Sequence, residues 1–95
     1  MLAIVIYDIS SDRTRKKISD RLLDIGLTRA QYSVFLGTID KNRADELTLF
    51  AEEQLAKTDR LYIIPVQRDD LATARIVGQG FDEQLVTDEI LTKVI

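Results

Sequence analysis

Two segments of this chain are apolar on both faces when read as strands, and this constrains its fold more than any other feature. Leu2-Ala-Ile-Val-Ile-Tyr7 near the start and Leu61-Tyr-Ile-Ile-Pro-Val66 further on are rich in β-branched residues. Both are too short for buried helices and favour strands, here read over Leu2–Ile9 and Arg60–Arg68. A strand with no polar face needs cover above and below its sheet. Pro65 cannot donate to a ladder, which places the later strand at an edge.

Two helices are available to supply that cover. Ser10-Ser11-Asp12 offers N-caps to a helix running to about Ile25, with Ile18, Leu22 and Ile25 on one stripe and Gly26 as its C′ residue. Asp40 or Asn42 caps a second helix through Lys57, with Ala44, Leu47, Ala51 and Leu55 facing inward. Between them Leu27–Ile39 is extended, bending near Gln31–Ser33 into a kinked strand or a tight pair. Asp69–Ala74 reads as a loop, Arg75–Val77 as a short strand and Gly78–Gly80 as a break. The order β-α-β(β)-α-β makes an α+β, ferredoxin-like βαββαβ sandwich over residues 1–80, with a short extra C-terminal strand.

In that fold both helices cover the same sheet face. A chain of 95 residues has little left to cover the other, and it buries only about two-thirds of its unfolded surface alone. The expectation is therefore an isologous homodimer with its sheets stacked. The tail, residues 81–95, keeps Phe81, Leu85, Ile90, Leu91, Val94 and Ile95 and is expected to dock on its own or the partner subunit.

The chain has no cysteine and no histidine. Disulfides, thiol nucleophiles, Cys/His zinc sites and a histidine base are excluded, which leaves carboxylates, hydroxyls, Lys, Arg, Tyr or an oxygen-ligated metal. The net charge of −3 divides unevenly. Arg13–Arg43 carries eight basic and three acidic residues, whereas residues 44–95 carry five basic and eleven acidic. A basic segment on an acidic protein is placed rather than spread. No basic leader precedes the first apolar run and no run approaches the ~20 residues of a membrane helix, so a cytoplasmic, non-membrane protein is expected.

Asp8 ends the first strand on the side of Leu2, Ile4 and Ile6. It either caps the next helix or pairs with Arg15, or, across a two-fold axis, it meets its own copy. Two facing carboxylates hold a proton or admit a hard cation such as Mg²⁺ or Mn²⁺, which prefers oxygen ligands. Such a metal activates water for phosphodiester cleavage without histidine. Arg13, Arg15, Lys16, Lys17 and Arg21 form either a solvated helix face or a phosphate-binding face near a helix N-terminus. Arg29, Gln31, Ser33 and Phe35 would share one face of an unkinked strand, an arginine-plus-aromatic strip, although Phe35 reads first as a core residue and Tyr7 as a core or interface aromatic. Ser10 reads as a cap.

Tyr7-Asp8-Ile9-Ser10, Asp12 with a basic helix start, Gly26, and Arg29-Ala30-Gln31-Tyr32-Ser33-Val34-Phe35-Leu36-Gly37 together resemble the CRISPR-associated protein two family, the small partner of the CRISPR integrase in spacer acquisition. The likeness runs from Leu2 to about Gly78 and includes Ile63-Ile64-Pro65-Val66. It implies a ferredoxin-like homodimer in which Asp8 faces its mate at a single divalent metal per dimer. It also implies nucleic-acid handling by Arg15 and Arg29, with Tyr7 and Phe35 at the family's aromatic positions. Lys17 stands where arginine is expected, keeping the charge but losing bidentate phosphate contact. The resemblance implies two roles: a scaffold holding double-stranded DNA beside the integrase, and a metal-dependent endonuclease acting on DNA or single-stranded RNA. One acid per chain is sparse for a nuclease and favours the scaffold. A ferredoxin-like regulatory or interaction domain is the alternative, and it leaves the basic cluster unexplained.

Overall fold

The computed structural model describes residues 1–78. In chain order the elements are β1 (Leu2–Asp8), α1 (Asp12–Asp24), β2 (Thr28–Gln31), β3 (Val34–Thr38), α2 (Lys41–Gln54), β4 (Arg60–Pro65) and α3 (Arg68–Ala72). The four strands form one antiparallel sheet in the order β2-β3-β1-β4, the ferredoxin-like arrangement. β1 is central, pairing Val5 with Phe35 on one side and with Ile63 on the other. Pro65 lies on an edge strand, as its missing N–H requires.

The long extended segment is a tight pair. Tyr32 and Ser33 turn it back on itself, and a register shift falls between Arg29 and Gln31. Arg29 and Phe35 are therefore cross-strand partners rather than neighbours along one strand face.

Alternation along β1 sends Ala3, Val5 and Tyr7 into the main core. They pack with Phe35, with Ile18 and Leu22 of α1, and with Ala44, Leu47 and Ala51 of α2. Ser11 caps α1, its hydroxyl accepting from Thr14 N at 3.2 Å, and Asp40 caps α2, accepting from Arg43 N at 2.7 Å. α1 ends in a Schellman turn: Gly26 N donates to Leu23 O and Leu27 N to Leu22 O, both at 3.0 Å, with Gly26 at φ 93°. This turn carries Leu27 into the core beside Leu22.

The opposite sheet face holds a smaller cluster of Leu2, Ala30 and Leu36, against which Ile4, Val34, Val66 and Leu71 pack. Leu71 belongs to α3, a helix where a loop over Asp69–Ala74 was expected. Asp69 and Asp70 in its first turn complement the helix dipole, and Leu71 anchors it to the sheet. No strand forms at Arg75–Val77, which corrects the expected extra strand. These residues have no ladder partner among the described residues and are exposed. α2 stops at Gln54 rather than Lys57, because Leu55 turns extended and the Asp59 carboxylate takes the Ala56 amide at 3.0 Å. The expected docking of residues 81–95 lies outside the described residues.

Gly26→Ala forces an L side chain into the left-handed region, and is expected to destabilise the fold by roughly 1–2 kcal/mol. The loss reads as a lower urea midpoint at unchanged m-value.

Candidate nucleic-acid interface

The β1–α1 junction and the β2–β3 turn meet at one end of the sheet. Tyr7, the last inward residue of β1, is buried and stacks on Phe35 with ring centroids 6.2 Å apart. Its hydroxyl donates to Tyr32 O at 3.0 Å, and its backbone N–H donates to Ser33 O at 3.1 Å. Arg29 lies over the Phe35 ring, its guanidinium carbon 4.8 Å from the centroid, and donates from Nη1 to the same Tyr32 carbonyl at 2.8 Å. One carbonyl therefore takes two donors and fixes the turn against β1.

Arg15 performs a parallel task on the other loop. Its Nη1 donates to Ile9 O at 2.7 Å and Ser10 O at 3.2 Å, and its Nη2 pairs with Asp12. Ser10 N donates in turn to Asp59 Oδ1 at 3.2 Å, while Asp59 Oδ2 accepts from Ala56 N. Asp59 thus ties the β1–α1 loop to the α2–β4 loop. Only three-dimensional closure brings its carboxylate to Ser10, so residue spacing gave no sign of it.

Tyr7, Arg15, Lys16, Ser19, Arg29, Tyr32 and Ser33 enclose an open basin of about 180 Å³. Of the basic residues singled out in the sequence, Arg15, Lys16 and Arg29 converge here. Lys16 also pairs with Asp20 at 2.8 Å, and that carboxylate raises the ammonium's pKa. Lys17 turns away to Gln54 Oε1 at 3.4 Å, Arg21 sits 3.9 Å over the Phe50 ring, and Arg13 is exposed outside the basin. Phe35 is fully buried and serves as the floor beneath Arg29 rather than as an accessible platform.

Asp8 lies elsewhere. It is exposed at the end of β1, opposite Arg60 in register, and alternation puts it on the outer face with Ile4 and Ile6. Tyr7 faces inward, so the carboxylate and the basin occupy opposite faces of β1. Among the described residues Asp8 makes neither ion pair nor hydrogen bond, and no group of three acidic ligands forms. Asp8 does fit a hard cation in kind, as an exposed oxygen donor with open lone pairs. Among the described residues it stands as a single ligand, so a hard cation there would need further donors.

The chain matches the family model described as CRISPR associated protein Cas2 over residues 1–74. It is similar to the CRISPR-associated endoribonuclease Cas2 2 of Chloroflexus aurantiacus, 46% identical over 86 residues, covering 87% of this chain and 99% of that protein. The CRISPR-associated endoribonuclease Cas2 of Korarchaeum cryptofilum is 31% identical, covering 81% and 84%. A solved hypothetical protein, TT1823 of Thermus thermophilus, aligns with TM-score 0.69 at 32% identity, over 81% of this chain and 89% of that one. Streptococcus pyogenes Cas2 shares the fold at TM-score 0.72 and 18% identity, over 82% of this chain and all of that one.

Burial pushes the Tyr7 phenol above its ordinary value of 10.0, and the Arg29 and Arg15 charges offset part of that. An unfolded chain releases this proton first. The stabilising contribution is thus intact below about pH 10 and lost as pH rises through the folded Tyr7 value. Tyr7→Phe is expected to cost about 1 kcal/mol near neutrality, from the lost hydrogen bond, and to flatten the alkaline decline. Denaturant melts across pH check both.

Proposed function

The chain belongs to the CRISPR-associated Cas2 family, and from that premise we propose that it serves CRISPR adaptation in the cytoplasm as a two-fold, nucleic-acid-binding dimer with Mg²⁺-dependent endoribonuclease activity centred on Asp8. The observation that carries this reading is an exposed carboxylate, unpaired among the described residues, at the rim of the sheet face opposite α1 and α2. Beside Ile4 and Ile6 on that face stand Tyr62 and Ile64, 49% and 40% exposed. An apolar face of this kind suits a second copy, and stacking two such faces brings each Asp8 toward the partner's Asp8.

Asp8 and its partner copy would hold Mg²⁺ or Mn²⁺, which when bound supplies an acidified water for attack on a phosphodiester. The residues of the basin do separate work. Arg15, Lys16 and Arg29 attract phosphate, and the carbonyls of Ile9, Ser10 and Tyr32 hold the two arginines in place beforehand. The names of the relatives, endoribonucleases, favour RNA as the cleaved ligand.

A second reading is favoured by one observation: Asp8 stands alone, with no acidic cluster among the described residues. It makes the dimer a scaffold that holds double-stranded DNA beside the CRISPR integrase, without hydrolysis. In that case spacer acquisition in cells survives Asp8→Asn.

Asp8→Asn is expected to reduce Mg²⁺-dependent cleavage of single-stranded RNA to background while folding and RNA binding persist. Equal cleavage by parent and variant rejects the assignment. The parent is expected to sediment as a dimer at micromolar concentration and Ile64→Asp, which buries a charge between sheets, as a monomer. A monomeric parent rejects the two-fold site.

A further inference from the structure

Tyr32 is the most exposed aromatic residue among the described ones, at 90%, and it is also one of the most firmly anchored. Its carbonyl accepts from Tyr7 Oη and from Arg29 Nη1, and the next carbonyl, of Ser33, accepts from Tyr7 N. Three bonds therefore immobilise the backbone of a two-residue turn while the ring packs into no core. Leaving a large ring in water forgoes stabilisation that burial would give. The anchored backbone fixes where the ring is attached, while the ring itself stays open to a ligand.

Tyr32 borders the basin together with Arg15, Lys16 and Arg29. An exposed aromatic face beside several cations is suited to one ligand chemistry: a planar base joined to a phosphate. Aromatic faces stack on bases, guanidinium and ammonium groups take the backbone, and neither contact depends on sequence. Inside a duplex both faces of each base are already stacked on neighbours. A protruding side chain reaches such a base only at an unpaired position.

We propose that the Tyr32 ring is a stacking platform for one unpaired nucleobase, whose adjoining phosphate sits in the Arg15–Arg29 basin. This rests on the nucleic-acid-binding reading above and narrows it: the basin selects single-stranded segments over continuous duplex. The hydroxyl of Tyr32 has no part in the contact, so the aromatic face alone carries it.

The test compares a single-stranded oligoribonucleotide, its deoxy counterpart and a blunt duplex at matched salt, binding the full chain and its variants. Tyr32→Ala is expected to lower single-strand affinity relative to duplex affinity by roughly 5- to 150-fold, and Tyr32→Phe to restore it. The chain has no tryptophan, so Tyr32→Trp places a lone reporter at the turn. Its emission is expected to be quenched by the single strands and not by the duplex. A ribo-only or deoxy-only response identifies which strand the site takes. An equal loss on duplex and single strand, or no loss with Tyr32→Ala, overturns the platform while leaving nucleic-acid binding intact. A parent chain that binds none of the three ligands overturns both readings.

Discussion

β1 needs cover on both faces and a partner on both edges, and the rest of the protomer is arranged around meeting that demand. Its edges pair with β3 and β4. Its inner side chains join α1 and α2 in one core, and its outer side chains gather a smaller cluster with α3. The strand cannot slip by one residue without exchanging Val5 and Tyr7 for Ile6 and Asp8. Register thus also decides chemistry: it puts Tyr7 inside, where it braces the β2–β3 turn, and sends Asp8 outside.

The basic segment is less a free phosphate trap than its charge count suggests. Arg15 and Arg29 each give donors to backbone carbonyls, and Arg15 also pairs with Asp12. Such contacts remove rotamer freedom from long side chains before a ligand binds, so less ordering entropy is lost on association. They also join the loops: Arg15 and Asp59 meet at the β1–α1 loop, and Arg29 and Tyr7 meet at the Tyr32 carbonyl. Replacing either arginine changes loop geometry as well as charge, and its effect on binding contains both.

Much of this was legible in the sequence because it is written in local patterns. Short β-branched runs, apolar on both faces, gave β1 and β4, Pro65 gave the edge, Ser10-Ser11-Asp12 and the pair Asp40 or Asn42 bracketed the helix starts, and Gly26 gave a helix end. What was not legible depends on distant partners. α3 lacks a side-chain cap and forms where Leu71 reaches the outer cluster, so Asp69–Ala74 looked like a loop. Arg75–Val77 has strand-forming residues but no neighbouring strand among the described residues. The Arg29-to-Phe35 strip dissolved once the turn folded it, placing Arg29 across from Phe35 and leaving Tyr32 as the accessible ring. The convergence of Arg15, Lys16 and Arg29 needed the sheet to close against α1.

The opposite placement of Asp8 and the basin bears on how one small chain could both hold and cut nucleic acid. In a protomer the two sites lie on different faces of one strand, so a phosphate in the basin is not presented to that chain's own carboxylate by the strand itself. The proposed two-fold stack would place the paired carboxylates centrally and repeat the basin on the outer, helix-covered side of each sheet. A ligand engaging both must pass around the strand ends. An unpaired, flexible strand can make that turn, because it lacks the stiffness of a duplex, whose persistence length is about 150 base pairs. A duplex held straight across such a dimer would leave the carboxylates untouched. On the proposed dimer, the stiffness of the nucleic acid would then separate a ligand that is held from one that is cut.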